Sequence, residues 1–194
     1  HDENLQLGNL MEYKDRLPKE KMMEIVDDLA EMGVKAVTFS GGGEPLIYPY
    51  IAESVNRLGK HGLKVATLTN ASHLHEGIAE AFAKYGTWIR VSIDGWDAAS
   101  YAKIRNVKLT EFDMVVNNMR NFANLKSSCV LGINYVIDNQ NYAHVLEFSK
   151  LMKDVGVNHL KIMGVIVSND GKLSNAYHDD IRESVQEQID QAKN

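Results

Sequence analysis

The segment Ala36-Val37-Thr38-Phe39-Ser40-Gly41-Gly42-Gly43-Glu44-Pro45-Leu46 decides how the rest of the chain is read. A short apolar, β-favouring run ends in three consecutive glycines, then a carboxylate, then a proline that restricts how the backbone leaves the turn. The pattern predicts a buried strand opening into a loop that can cradle a ligand. Bare glycine backbone lets N–H and C=O groups come close to a small molecule, and it reaches positive φ at no steric cost. Glu44 at the rim could hold an ammonium or a hydroxyl. The plainer reading is a sharp strand-to-helix turn with a solvated glutamate.

Outward from this strand the pattern repeats. Upstream, Pro18 suits a first helical position, and Met22, Ile25, Val26, Leu29 and Met32 recur at helical spacing before Gly33 supplies a stop. Strand-like runs begin near Ala36, Lys64, Trp88, Val130 and His159, and each interval has room for one helix. Those helices are marked by Ile51, Val55 and Leu58; by Ile78, Ala81 and Phe82; by Phe112, Val115, Val116 and Met119; and by Val145, Phe148, Leu151 and Val155. Gly62, Gly86 and Gly156 punctuate three ends, and Thr110 with Asp113 has the form of a capping box. From Asp179 to Asn194, Ile181, Val185 and Ile189 share one face of an otherwise polar surface helix.

Alternating strands and helices predict a parallel sheet packed against helices. A closed eight-stranded barrel usually takes ~250 residues, so a chain of 194 residues suits an open doubly wound sheet or a partial barrel. A parallel core strand at Val37-Thr38-Phe39 would be left at an exposed edge unless another strand preceded it, so a missing upstream strand is inferred. We read one domain: a polar loop over 1–17, β/α units over 18–168, and a terminal helix within 169–194.

Composition narrows the function classes. With 44% hydrophobic and 24% charged residues the chain is an ordinary globular protein, large enough to bury roughly 70% of its unfolded surface. A formal net charge of -5 argues against nucleic acid and anionic membranes as partners. No apolar run reaches the ~20 residues of a membrane span, and the polar start His1-Asp2-Glu3-Asn4 is unlike a signal peptide, so the chain reads as cytoplasmic. The single cysteine, Cys129, cannot alone hold an iron-sulfur cluster or a structural zinc, and it reads as a small buried hydrophobe. His73-Leu74-His75 could offer two imidazoles to a metal, but no third ligand is evident and a solvated loop is the plainer reading.

Ligands of parallel α/β folds bind outside the carboxyl ends of the strands, and those ends are polar here. Thr69 and Asn70 end one strand and could equally cap the next helix. Ser92 and Asp94 alternate onto one side and could reach a ribose hydroxyl, although Asp94-Gly95 is also a plain turn. Asn134 sits in an apolar strand, where its amide needs a ligand or a polar neighbour. The last strand runs from Lys161 to Ser168 and carries Met163 and Val165.

From about residue 18 to residue 168, the order and spacing of these segments resemble radical S-adenosylmethionine (SAM) enzymes, and Ser40-Gly41-Gly42-Gly43-Glu44-Pro45-Leu46 looks like their Gly-Gly-Glu-Pro motif. The resemblance implies a partial parallel (β/α) barrel, of the TIM-barrel type, with about six strands when complete and five here. It implies that Gly41, Gly42, Gly43 and Glu44 hold the SAM amino group, that Ser92 and Asp94 face the ribose, that Asn134 lies near the ribose or methionyl part, and that Met163 and Val165 flank the adenine. Thr69 and Asn70 join this set at the neighbouring strand end. Arg105, in Ile104-Arg105-Asn106, resembles an arginine that pairs with the SAM carboxylate, a task that suits its two-pronged donor. Relatives often have Gly after this arginine; Asn106 also tolerates positive φ.

The resemblance also implies a 4Fe-4S cluster, an electron donor such as flavodoxin or ferredoxin, and a small-molecule or peptide substrate from which a 5′-deoxyadenosyl radical takes hydrogen. The family's Cys-x3-Cys-x2-Cys loop is not in this sequence. The simplest expectation is that the chain begins just after the last of those cysteines, so that this piece alone cannot form the cluster. A relative that binds SAM or a nucleotide without catalysis is the competing reading, and a phosphate- or sugar-handling barrel enzyme is the next.

Overall fold

The computed structural model describes residues 16–41 and 43–193. The segment read as an N-terminal loop therefore lies almost wholly outside the described residues, as does Gly42. Five strands, β1 (Ala36–Phe39), β2 (Lys64–Thr69), β3 (Gly86–Ser92), β4 (Val130–Ile137) and β5 (His159–Gly164), form one sheet. Their spatial order is their sequence order, and all four adjacent pairs are parallel. A doubly wound sheet must reverse its winding at a switch point, and this one never does, so it is an unclosed arc of a (β/α) barrel.

Among the described residues seven helices surround the arc: α1 (Lys19–Glu31), α2 (Ile51–Lys60), α3 (Glu76–Tyr85), α4 (Ala98–Arg105), α5 (Thr110–Asn124), α6 (Val145–Val155) and α7 (Gly171–Lys193). Alternation along the strands divides the sheet into two faces. Ile89, Val91, Leu131, Ile133 and Tyr135 are buried toward the helices with Phe82, Met119, Phe122 and Phe148. The Tyr135 and Phe148 rings stack at 4.3 Å and tie β4 to α6. Each such large side chain contributes about 1.5–3 kcal/mol on burial. The other face is concave and open: Trp88, Arg90, Ser92 and Asn134 are half-exposed, and Leu68, His159 and Lys161 are exposed. Both edge strands, β1 and β5, are less buried than the three between them.

Local expectations fared unevenly. The longest interval, between β3 and β4, holds two helices rather than one, because α4 stops at Asn106 in the left-handed region (φ 53°) and α5 starts afresh at Thr110. The capping box expected at Thr110 and Asp113 is not formed: Thr110 is already helical and Leu109 precedes it without a side-chain cap. A capping box is formed at α4, where Asp97 and Ser100 bond reciprocally. Pro18 is the residue before α1 rather than its first. Gly62 and Gly156 do end helices at positive φ, whereas Gly86 is extended and opens β3 directly. The last strand stops at Gly164, not Ser168, and the terminal helix begins at Gly171, eight residues before its apolar stripe becomes legible.

Candidate functional site

At the carboxyl ends of β1 and β2 the backbone is fixed around one carboxylate. Glu44 caps a short 3-10 turn, Pro45–Ile47, and its Oε1 accepts the Leu46 N–H at 3.0 Å. The same oxygen accepts the Thr69 hydroxyl at 2.6 Å, and Oε2 accepts the Asn70 N–H at 2.7 Å. Thr69 Oγ1 in turn accepts the Ala71 N–H, and Asn70 Oδ1 accepts the Ser72 N–H. Thr69 and Asn70 thus shape the turn after β2, with five residues between Asn70 and the start of α3, and do not cap that helix. A carboxylate offers about four acceptor positions; three are filled, and the one without a donor among the described residues belongs to Oε2. Gly41 holds φ +152°, and an added Cβ at Gly41 or Gly43 would meet nothing within 4 Å among the described residues.

A second cluster lies at the ends of β3 and β4. Arg105, the last residue of α4, donates from Nη2 to the Ser92 carbonyl and hydroxyl at 3.1 and 3.2 Å and to Asp94 Oδ2 at 2.9 Å. Ser92 and Asp94 share a side of the chain, as alternation predicts, and what they meet is this guanidinium. Two buried atoms are left over: Arg105 Nε and Asp94 Oδ1 have no hydrogen-bond partner among the described residues. Burial raises the Asp94 carboxyl above the ordinary carboxylate range, against the opposing pull of Arg105. Asn134 is the register neighbour of Ser92, and its side-chain amide makes no hydrogen bond among the described residues. Met163 lies on the same face of β5; Val165 lies one residue past the strand, where its N–H still donates to Ile137 O.

Two asparagines that the sequence did not flag hold these loops. Asn118, buried on α5, donates to the carbonyls of Ala71 and Ser72. Asn141, 2% exposed, donates to Asp94 O and Val136 O and so links the ends of β3 and β4. Asn118 shares the buried stripe of α5 with Val115, Met119 and Phe122, a position that could have marked it; Asn141 sits in the polar run Asp138-Asn139-Gln140-Asn141, where nothing in the sequence sets it apart.

The profile of the Radical SAM superfamily matches residues 8–152. The chain belongs to that superfamily. An S-adenosylmethionine-dependent nucleotide dehydratase of Flammeovirga pacifica is 36% identical over 87 residues, 45% of this chain and 30% of that protein. A probable GTP 3',8-cyclase of Saccharolobus islandicus is 26% identical over 168 residues, covering 86% of this chain and 53% of its own length. The chain therefore spans about half or less of these curated relatives. Among solved structures, Streptococcus suis SuiB bound to S-adenosylmethionine superposes with a TM-score of 0.67 at 19% identity, covering 90% of this chain and 41% of that one. That likeness shows the fold.

The radical SAM family usually carries an iron-sulfur cluster, and among the described residues none fit one. No group of three His, Cys, Asp or Glu side chains among the described residues could hold a metal. Cys129 is buried just before β4, at the opposite end of the strands from Glu44, and burial pushes its thiol up to about 12. His73 and His75 stack loosely at 6.1 Å. The described residues include no helix long and apolar enough to cross a membrane.

Proposed function

We propose that this chain is the SAM-binding core of a radical SAM enzyme, with the methionyl end of SAM held between the two clusters at the strand ends. The observation that carries the reading is Glu44: a carboxylate fixed by three donors, with one acceptor position on Oε2 left without a donor among the described residues, directly after a glycine strip where an added Cβ at Gly41 or Gly43 would meet none of them within 4 Å. An α-ammonium is the donor such a position suits. Across the ends of β2 and β3, Arg105 would take the carboxylate, and the unpartnered Asp94 Oδ1 and Asn134 amide would take hydroxyl or amine donors of the nucleoside. Gly41, Gly42 and Gly43 would line the methionyl side, and Met163 with Val165 the adenine side.

When bound, SAM together with a reduced 4Fe-4S cluster would supply a 5′-deoxyadenosyl radical for hydrogen abstraction. The part left to this chain is to bind, orient and shield SAM, because its one cysteine is buried far from Glu44. The cluster ligands and the electron donor, a flavodoxin or ferredoxin, would then come from outside this chain. The substrates named for relatives include nucleotides, and among structural neighbours a SuiB complex holds the precursor peptide SuiA; either class suits a concave face this open.

Calorimetric titration of the chain with SAM tests the reading. Saturable 1:1 binding, lost on Glu44→Ala, is expected. Folded protein without SAM binding would overturn it. The missing ligands favour one other reading, SAM binding without cleavage. Formation of 5′-deoxyadenosine under reducing conditions, by this chain joined behind a Cys-x3-Cys-x2-Cys loop, separates the two.

A further inference from the structure

The five strands contain three charged side chains, and all three are cations. Lys64, Arg90 and Lys161 belong to β2, β3 and β5, and none of the five carries an Asp or Glu. All three alternate onto the concave face, opposite the buried side chains Val65, Ile89 and Val91 and the core-packed Leu160 and Ile162. In a protein with a net charge of -5, this is a marked segregation of sign. Asp94, which alternates onto the same side of the chain, lies beyond the end of β3 and is already paired with Arg105.

Register assembles the cations. Leu68, Arg90, Gly132 and His159 form one row across four strands, and Ser92, Asn134 and Lys161 form the next row toward the carboxyl ends. Strand spacing separates Arg90 from the β5 residues by about 10 Å. Between them stands Gly132, where a Cβ would run into the His159 imidazole. No side chain on β4 therefore intrudes between Arg90 and His159. Arg90 lies over the Trp88 ring at 5.1 Å, which holds its guanidinium along the floor. Its Nε is buried without a hydrogen-bond partner among the described residues, an arrangement that is costly until an acceptor arrives. Neither Arg90 nor Lys161 makes an ion pair among the described residues.

We infer that this concave floor binds the anionic end of the substrate, a cluster of phosphoryl or carboxylate oxygens received by Arg90 and Lys161 with His159 between them. The inference deepens the reading of the strand ends given above, because it fixes the chemistry of the molecule lying beside SAM. An arginine and a lysine whose backbones are about 12 Å apart suit linked anionic groups better than a single one, with the guanidinium presenting a fork and the ammonium a mobile point charge.

Titration at low ionic strength with two probes, inorganic tripolyphosphate and citrate, tests this. Tripolyphosphate binding tighter than citrate identifies phosphoryl oxygens, and the reverse order identifies carboxylates; either supports the inference. Arg90→Gln and the exposed Lys161→Gln should each weaken binding by about tenfold, with Lys150→Gln on the outer helix α6 unchanged. Lys161→Gln serves if Arg90→Gln fails to fold. No binding of either probe, or equal binding by wild type, Lys161→Gln and Lys150→Gln, overturns it. SAM is titrated in parallel: loss of SAM binding with intact probe binding would sink the SAM reading and leave this one standing.

Discussion

Two polar clusters sit at the carboxyl ends of the strands, and they differ in how completely they are satisfied. Around Glu44, the three donors aimed at the carboxylate come from its own chain, and the turn after β2 is closed by Thr69 and Asn70. Around Arg105, one nitrogen serves three acceptors while Arg105 Nε and Asp94 Oδ1 are buried without partners among the described residues. Buried polar groups are normally bonded, and each left unmade costs about 1–3 kcal/mol. The first cluster is thus a finished scaffold with one position to spare. The second is incomplete in a way a ligand would correct.

The most severe way to break this contrast is at Glu44. Glu44→Ala strands the Leu46 and Asn70 N–H groups and the Thr69 hydroxyl, so SAM affinity should fall at least a hundredfold. Stability should fall by about 2 kcal/mol, a drop in Tm of about 4–8 °C. Glu44→Gln keeps one good acceptor and should lie between. Undiminished SAM affinity in Glu44→Ala would show that the finished cluster is scaffold alone.

Arg105 should answer differently. Arg105→Ala is expected to weaken SAM binding by only about tenfold, and by stranding the Ser92 carbonyl and Asp94 Oδ2 it should cost about 1–3 kcal/mol. The Asp94 carboxyl is raised by burial, so the folded state holds that proton more tightly than the unfolded chain does. Its contribution to stability is fully present below the unfolded carboxylate value and is lost as pH rises through the folded one. Asp94→Asn should therefore gain on wild type as pH climbs from about 4. Urea unfolding across pH 3.5–7 checks this, and parallel curves for the two proteins would mean that Asp94 is not strained by burial.

How much of this contrast was legible in the sequence depends on where each interaction is encoded. Glu44 and the glycines announce themselves because one short stretch carries strand, turn and carboxylate together. The five strands were equally plain, since β-branched runs such as Val65 and Val91 recur between helical stripes. The pairing of Arg105 with Ser92 and Asp94 was not, because it depends on α4, an eight-residue helix whose apolar pattern is too weak to register. Asn118 and Asn141 were hidden for the same reason: their partners are backbone carbonyls on other segments, which leave no trace in composition. The Thr110 and Asp113 motif misled because a capping box is only a spacing until the backbone enters the helix at that residue.

Asn118 offers a finer probe of the finished cluster, because it touches neither Glu44 nor the glycines. Asn118→Ala leaves the Ala71 and Ser72 carbonyls without their buried donor and should cost about 1–3 kcal/mol. SAM affinity should fall less than in Glu44→Ala. A loss as large would mean that the turn after β2, rather than the carboxylate, sets the binding geometry.

The smallest effect bears on the incomplete cluster through its support. Asp97 Oδ1 accepts the Ser100 N–H at 2.7 Å, and Ser100 Oγ accepts the Trp96 and Asp97 N–H groups, so this box fixes where α4 begins and, one helix length on, where Arg105 ends. Asp97→Ala should cost about 1 kcal/mol, whereas Thr110→Ala, at a position with no cap bond, should stay within about 0.5 kcal/mol. The backbone N–H of Ser100 holds the Asp97 carboxyl below the ordinary carboxylate range. Its stabilisation is therefore present above that range and is lost as pH falls through the lowered value. Wild type and Asp97→Ala should accordingly converge in acid. If they converge in stability while Asp97→Ala still binds SAM as tightly as wild type at neutral pH, Arg105 keeps its place without the cap, held by Ser92 and Asp94 alone. If SAM affinity falls with the cap, the start of α4 is what aims the guanidinium.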